Sequence, residues 1–121
     1  MNIETALKEA MAIEGALGAA LVDYESGMTL GMSGGGRELD LEVAAAGNTE
    51  VVRAKARTLE ALNIKDTIED ILITLDRQYH LIRLLSRGGS QLFLYLALDR
   101  SRANLALARH TLRGIERDIA L

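Results

Sequence analysis

The fold is decided by residues 67–98, which read TIEDILITLDRQYHLIRLLSRGGSQLFLYLAL. This segment predicts three consecutive β-strands, at Ile68–Leu75, Gln78–Leu85 and Gln91–Leu98. Side chains alternate between the two faces of a strand, so a sheet with one solvated face would carry a polar residue at every second position. Both sets of positions are mostly apolar in these three strands. We therefore expect helices to cover both faces of the sheet.

The flanking sequence supplies those helices and one further hairpin. Gly34–Gly36 interrupts regular structure after the hairpin, and Ser86–Ser90 connects the last two strands. Asn63 is expected to end the long helix in a left-handed conformation. The order α-β-β-α-β-β-β-α predicts an α+β fold within a single domain, residues 1–121. The elements outside the three strands are a helix capped by Asn2, a hairpin of Ala16–Tyr24 and Met28–Ser33, a helix from Asp40 to Leu62, and a last helix capped by Asp99 or Ser101.

The composition argues against several classes of function. A formal charge of −3 over 121 residues argues against non-specific binding to nucleic acid or to an anionic membrane. The absence of cysteine removes a disulfide framework and a thiolate metal site, and fits a reducing compartment. No run approaches the roughly 20 apolar residues of a membrane span, and the first residues do not resemble a signal peptide. We expect a cytoplasmic protein without membrane insertion.

The long helix has two apolar stripes, although one is enough to pack a helix on its own sheet. Either the two form one broad stripe that packs on the sheet, or the second, rich in small residues, meets another copy of the chain. The first stripe is Leu41, Ala45, Val52, Ala56 and Leu59, and the second is Val43, Gly47, Val51, Ala54 and Ala61.

The strand Ile68–Leu75 raises the same question at an edge of the sheet. It is rich in β-branched residues and contains neither proline nor lysine, the residues that commonly protect an open edge. Either a second copy of the chain pairs with this strand, or another strand of the same chain covers it. We predict a homodimer.

Residues with catalytic chemistry are sparse. A catalytic site needs a nucleophile beside a base, or two convergent carboxylates, and the histidines His80 and His110 stand alone. We interpret His80 as a satisfied, half-buried side chain. Gly34–Gly36 with Arg37 lacks the lysine and hydroxyl residue of a nucleotide-binding loop, and we interpret it as a connector. We expect no enzyme activity, no catalytic residue, no cofactor and no metal.

Arginines recur along one side of the last helix. They predict either a solvated face or a docking strip for an acidic protein partner, because a nucleic-acid site would require a basic domain. The four residues are Arg102, Arg109, Arg113 and Arg117.

Five segments, taken in order, resemble a known family. They are GALGAALVDYESG at 15–27, VVRAK at 51–55, EDILI at 69–73, QYHLIR at 78–83, and the segment from Asp99 to Arg109. Together they resemble the roadblock/LAMTOR (dynein light chain) family, particularly its bacterial and archaeal, that is prokaryotic, members. The resemblance spans nearly the whole chain, and its specificity comes from the order of the segments.

The resemblance implies a roadblock/profilin-like sandwich, in which a five-stranded antiparallel sheet lies between helices and the strand Ile68–Leu75 forms an edge. It implies a homodimer in which two such edges pair and the long helices lie side by side. The implied interface residues are Val51, Lys55, Ile68, Glu69, Asp70, Ile71 and Ile73.

Members of the family bind Ras-like small GTPases or serve as light chains and scaffolds. The resemblance therefore implies a non-catalytic module that binds and regulates a Ras-like small GTPase, which docks on the surface made by the paired long helices. The alternatives are a structural adaptor and, less favoured, a small-ligand sensor. The candidate docking residues are Glu50, Arg53, Arg57 and Glu60.

Overall fold

The computed structural model describes residues 1–85 and 90–120. The predicted order of elements is confirmed. The connection predicted at Ser86–Ser90 lies almost entirely outside the described residues. The elements are α1 (Ile3–Met11), β1 (Ala16–Asp23), β2 (Met28–Gly34), α2 (Leu41–Ala61), β3 (Asp70–Thr74), β4 (Gln78–Leu85), β5 (Leu92–Asp99) and α3 (Leu105–Asp118).

The five strands form one antiparallel sheet in the order β2-β1-β5-β4-β3. The central strand β5 is buried at seven of its eight positions, which explains why its sequence is apolar throughout. The two edges of the sheet are β2 and β3. The prediction that the first strand of the 67–98 segment lies at an edge is confirmed.

Helices cover both faces, as the alternation of apolar residues predicted. On one face α1 and α3 pack over a core that includes Leu94 and Leu96 of β5. On the other face α2 packs over Phe93 and Tyr95 of the same strand. Because β5 contributes alternate residues to both cores, it holds the two layers together. Among the described residues, no helix is both long and apolar enough to span a bilayer.

Local signals at helix ends were correct at two places and wrong at a third. Asn2 caps α1 by accepting a hydrogen bond from the backbone N–H of Thr5 at 2.8 Å, and Asn63 has the left-handed φ of 58° expected after α2. The predicted cap of α3, Asp99 or Ser101, is wrong. Asp99 instead accepts hydrogen bonds from the backbone and hydroxyl of Ser101, which closes the turn after β5. The helix begins later and is capped by Asn104.

The edge strand β3 is shorter than predicted. It covers Asp70–Thr74, so Ile68 and Glu69 lie outside the strand. The carbonyl of Glu69 still accepts a hydrogen bond from the N–H of Leu84, but the chain before it runs as an irregular connection from α2. Alternation of apolar residues cannot distinguish such a connection from a strand, because it carries no information about pairing.

The predicted core stripe of α2 is right only in its N-terminal half. Leu41, Ala45 and Val52 are buried, whereas Ala56 is exposed. Leu59 is only half-buried. The C-terminal half of α2 therefore extends beyond the core of its own chain with small and apolar side chains uncovered.

Candidate functional site

The C-terminal half of α2 leads through a connection into the edge strand β3, and we call the two together the α2–β3 surface. It consists of residues 50–64 and of β3. Two large apolar side chains at its end, Leu62 and Ile64, are 61% and 45% exposed. With the uncovered alanines of α2, these side chains make the end of the surface a candidate protein-binding patch.

An open apolar groove adjoins this surface. It has a volume of about 430 Å³, and its walls come from α2, the α2–β3 connection and the end of β4. Leu59, Ile64, Ile68 and Leu84 are among its apolar side chains. Sequence patterning does not indicate this groove, because Ile64 and Ile68 stand among polar residues of a connection.

Arg53 clamps α2 to the β1–β2 hairpin. Its Nε donates a hydrogen bond to the carbonyl of Tyr24 at 2.9 Å, and its Nη2 donates to the carbonyl of Glu25. Its Nη1 lies 3.4 Å from the Glu50 carboxylate. The Arg53 side chain is 38% exposed, as expected for a residue on the outer side of α2, but its guanidinium is engaged by the turn, whose carbonyls need donors. A role for Arg53 in binding a partner stays a prediction.

The other predicted docking residues lie on the exposed side of α2. Glu50, Arg57 and Glu60 are all exposed. Arg57 and Glu60 form no ion pair or side-chain hydrogen bond with the described part of the chain. The surface therefore presents charges of both signs whose hydrogen-bonding capacity is available to a partner.

The predicted interface residues separate onto two faces of the sheet. Ile71 and Ile73 pair with Ile82 and His80 on the face that carries α2, and both are partly exposed. Asp70 pairs with Arg83 and points to the face that carries α3. On the connection and on α2 the arrangement is mixed: Glu69 and Lys55 are exposed, whereas Ile68 and Val51 are half-buried.

A four-residue charge network connects α3 to the edge strand. Arg83 Nε lies 2.8 Å from Glu116 Oε1, and Arg83 Nη1 lies 3.7 Å from Asp70 Oδ2. Arg109 Nε lies 3.2 Å from the same Asp70 oxygen. The network is charge-balanced, with two arginines and two carboxylates. It removes Arg109 from the predicted arginine strip, whereas Arg102 and Arg113 remain exposed.

His80 belongs to a polar cluster under α2. Its Nδ1 lies 3.2 Å from the Tyr95 hydroxyl and its Nε2 lies 2.7 Å from Gln78 Oε1, and the Asn48 side chain also hydrogen-bonds to Tyr95. Burial lowers the pKa of His80 and raises the pKa of Tyr95 to about 12. A neutral ring with its proton on Nε2 satisfies both of its contacts. The interpretation of His80 as a satisfied, half-buried side chain is confirmed.

The glycine-rich segment after β2 uses its amide groups internally. Gly35 N–H donates to the carbonyl of Leu17 at 2.9 Å, and Gly36 N–H donates to the carbonyl of Leu39 at 3.0 Å. These two amides are therefore unavailable to a phosphate, in agreement with the connector interpretation. Within residues 1–85 and 90–120, no cluster of three or more His, Asp or Glu side chains is arranged to hold a metal ion.

Comparison with known proteins identifies the fold. No protein-family model and no curated protein matches the sequence. Solved structures do match: a Roadblock/LC7 domain from Streptomyces avermitilis has a TM-score of 0.81 at 9% identity, covering 97% of this chain and 93% of its own. MglB of Myxococcus xanthus has a TM-score of 0.75 at 15% identity, covering 93% and 77%. The gliding protein MglB of Thermus thermophilus has a TM-score of 0.71 at 18% identity, covering 95% and 88%. The chain has the roadblock fold found in bacterial proteins.

Proposed function

We propose that this chain, a roadblock-type module, forms a homodimer that binds and regulates a Ras-like small GTPase and has no active site of its own. The single observation that carries the proposal is the uncovered C-terminal half of α2, which leads through the connection into the open edge strand β3. The sequence resemblance to roadblock proteins supplies the class of partner. The fold of the chain is consistent with that resemblance.

The dimer is supported by two neighbouring features of the α2–β3 surface. Among the described strands only β4 pairs with β3, and a second copy of the same strand would satisfy the backbone groups of its other edge. The exposed Leu62 and Ile64 lie on the connection that leads into this strand. Full burial of such a side chain contributes about 1.5–3 kcal/mol, and burying the part that is still exposed here contributes about half of that for each. Backbone pairing and apolar burial therefore favour the same partner, a second copy whose α2 lies beside the first.

The docking surface is supported by the charges on α2. Arg57 and Glu60 are exposed and have no ion-pair partner in the described part of the chain, and Glu50 is largely exposed. Mixed charges at the rim of an interface mainly determine the orientation and the rate of association. A GTPase that contacts α2 through such a rim would be recognised by its charge pattern.

The binding experiment uses the Ras-like GTPases encoded in the same genome, each loaded with GDP or with a non-hydrolysable GTP analogue. We expect one of them to bind preferentially in one nucleotide state. Arg57→Glu should weaken that binding at least about tenfold, or 1.4 kcal/mol, without changing the melting temperature. Arg113→Glu is the matched control, because Arg113 is also an exposed helical arginine but lies on the opposite face of the sheet.

Three outcomes separate the functional classes. Binding that is lost in Arg113→Glu but retained in Arg57→Glu would place the docking face on α3. Binding without nucleotide preference would indicate a structural adaptor. Binding to none of the GTPases would contradict the proposal.

A second candidate function rests on the groove. Its volume of about 430 Å³ lies within the roughly 300–1,000 Å³ typical of small-molecule sites, and much of its lining is apolar. A small apolar ligand held there would raise the melting temperature in proportion to the logarithm of its concentration. Leu59→Glu should abolish that rise. If no apolar ligand raises the melting temperature, the sensor function is excluded.

A further inference from the structure

An exposed apolar side chain lies directly after the edge strand β3, in residues 75–77, which we call the β3–β4 turn. Leu75 is 41% exposed, and its N–H donates a hydrogen bond to the carbonyl of Gln78 at 2.9 Å. Asp76 and Arg77 are both exposed, and neither forms an ion pair with the described part of the chain. The turn therefore presents a leucine beside two available charges of opposite sign.

The groove near the other end of β3 has matching features. Ile64, which is 45% exposed, and Ile68 line it from the connection that precedes β3. Lys65 and Asp66 line the same groove and are exposed, and within the described residues neither is part of an ion pair. This wall of the groove therefore complements the turn in both apolar character and charge.

Antiparallel pairing of β3 with β3 of a second copy brings the turn and the groove together. In such a pair the start of each strand lies beside the end of the other. When the two-fold axis passes through Leu72, the central residue of β3, Leu75 of one copy is opposite Glu69 of the other, because each lies three positions from the axis. Moving the axis by one residue along the strand shifts this position by only two residues. The turn of each copy therefore lies close to the groove of the other.

The turn and the groove also lie on the same face of the paired sheet. Leu75 alternates with Ile71 and Ile73, which lie on the face that carries α2, and α2 forms one wall of the groove. A two-fold axis perpendicular to the sheet places this face on the same side in both copies. Leu75 of a second copy can therefore reach the groove without crossing the sheet.

We propose that Leu75 of a second copy packs against Ile64 and Ile68, so that the β3–β4 turn of each copy covers the groove of the other. Arg77 of the second copy then lies beside Asp66. The inference rests on the proposed dimer through β3, and it names the contact that covers the apolar groove. The contact is made twice by symmetry. A groove covered in this way is closed to the small apolar ligand of the second candidate function.

Sedimentation equilibrium of the whole chain, from nanomolar to submillimolar concentration, tests the apolar contact. Leu75→Ala and Ile64→Ala should each raise the dissociation constant of the dimer at least about tenfold, because each variant loses both copies of the contact. Combined in one chain, they should raise it by clearly less than the product of about a hundredfold, because they remove the same contact. Leu107→Ala is the matched control, since Leu107 is 57% exposed on α3 and its replacement should leave the dissociation constant unchanged.

A charge exchange tests the polar contact with side chains that are exposed, so that the fold of the single chain is retained. Asp66→Arg and Arg77→Asp should each weaken the dimer, because like charges then meet in the interface. The variant that carries both changes should regain most of the wild-type affinity, because opposite charges face each other again. Two losses that simply multiply would contradict the contact.

Ile73→Lys separates this inference from the proposed dimer, because Ile73 lies within β3 and does not line the groove. A wild-type chain that stays monomeric contradicts both proposals. A wild-type dimer that Ile73→Lys leaves intact does not form through β3, and it contradicts both as well. A dimer that Ile73→Lys prevents, but that Leu75→Ala and Ile64→Ala leave unchanged, retains the proposed dimer and overturns this inference, and the groove is then available to another occupant.

Discussion

Replacing Glu116 with alanine should be among the most destabilising single changes on the surface of α3. Arg83, only 8% exposed, would keep Asp70 as its remaining carboxylate partner, at 3.7 Å. Removing one partner of a buried ion pair costs about 3–5 kcal/mol. Here the Arg83 and Glu116 side chains are still 10% and 17% exposed and a second carboxylate remains, so we expect about 2–3 kcal/mol. For a chain of 121 residues this lowers Tm by about 10 °C.

The assay is chemical denaturation of a double-mutant cycle that combines Glu116→Ala with Arg83→Met. The coupling energy between the two positions should be about 2 kcal/mol. The control cycle combines Glu50→Ala with Arg53→Ala, whose ion pair at 3.4 Å involves a carboxylate that is 68% exposed, and its coupling should stay under about 0.5 kcal/mol. Equal coupling in the two cycles would refute the argument that burial of Arg83 makes its ion pair important.

Three further predictions concern the hairpin clamp, the buried histidine and the cap of α3. Arg53→Ala should lower the free energy of unfolding by about 1–2 kcal/mol and speed amide exchange in the β1–β2 turn. Unchanged exchange would show that the turn does not need the Arg53 hydrogen bonds. Burial lowers the pKa of His80 in the folded state, so the unfolded chain takes up the proton first as the pH falls. The free energy of unfolding should therefore decrease below about pH 6.5 and become constant below the folded-state pKa. In denaturation curves measured over a series of pH values, His80→Gln should remove this loss of stability at low pH. A loss that persists in the variant would belong to other titrating groups. Asn104→Ala should lower the free energy of unfolding by about 1 kcal/mol, measured by thermal melting. Ser101→Ala changes the cap residue that the sequence wrongly suggested, and the amide exchange rates at the start of α3 should be unchanged in it.

The layered fold could be predicted because its signal is repeated at many positions. Alternate residues of β4 and β5 are apolar on both faces, and only coverage by helices on both sides satisfies such strands. The limits of β3 and the cap of α3 rest on single residues. Ile68 fits a strand as well as a connection, and Asp99 fits a helix cap as well as a turn, so each had two acceptable local solutions. Pairing across the sheet, which the linear sequence does not show, selected between them.

The candidate site was predicted less well, because it depends on which side chains already form hydrogen bonds or ion pairs within the chain. Helical spacing placed Arg53 and Arg57 one turn apart, but within the described chain Arg53 is engaged and Arg57 is not, because the hairpin carbonyls lie within reach of Arg53. Arg83 within an apolar strand was a detectable signal, since a buried arginine requires a carboxylate partner. The sequence could not identify Glu116 as that partner, because the contact joins residues 33 positions apart.

Equilibrium binding of the purified chain to the Ras-like GTPases of its own genome, in both nucleotide states, tests the central claim most directly. A module that regulates a GTPase must distinguish the two states, because a ligand with equal affinity for both cannot shift the balance between them. We predict that one GTPase binds at least about tenfold more tightly in one state, and that Arg57→Glu removes this preference while Arg113→Glu does not. Equal affinity for both states in every GTPase, or no binding at all, would contradict the account.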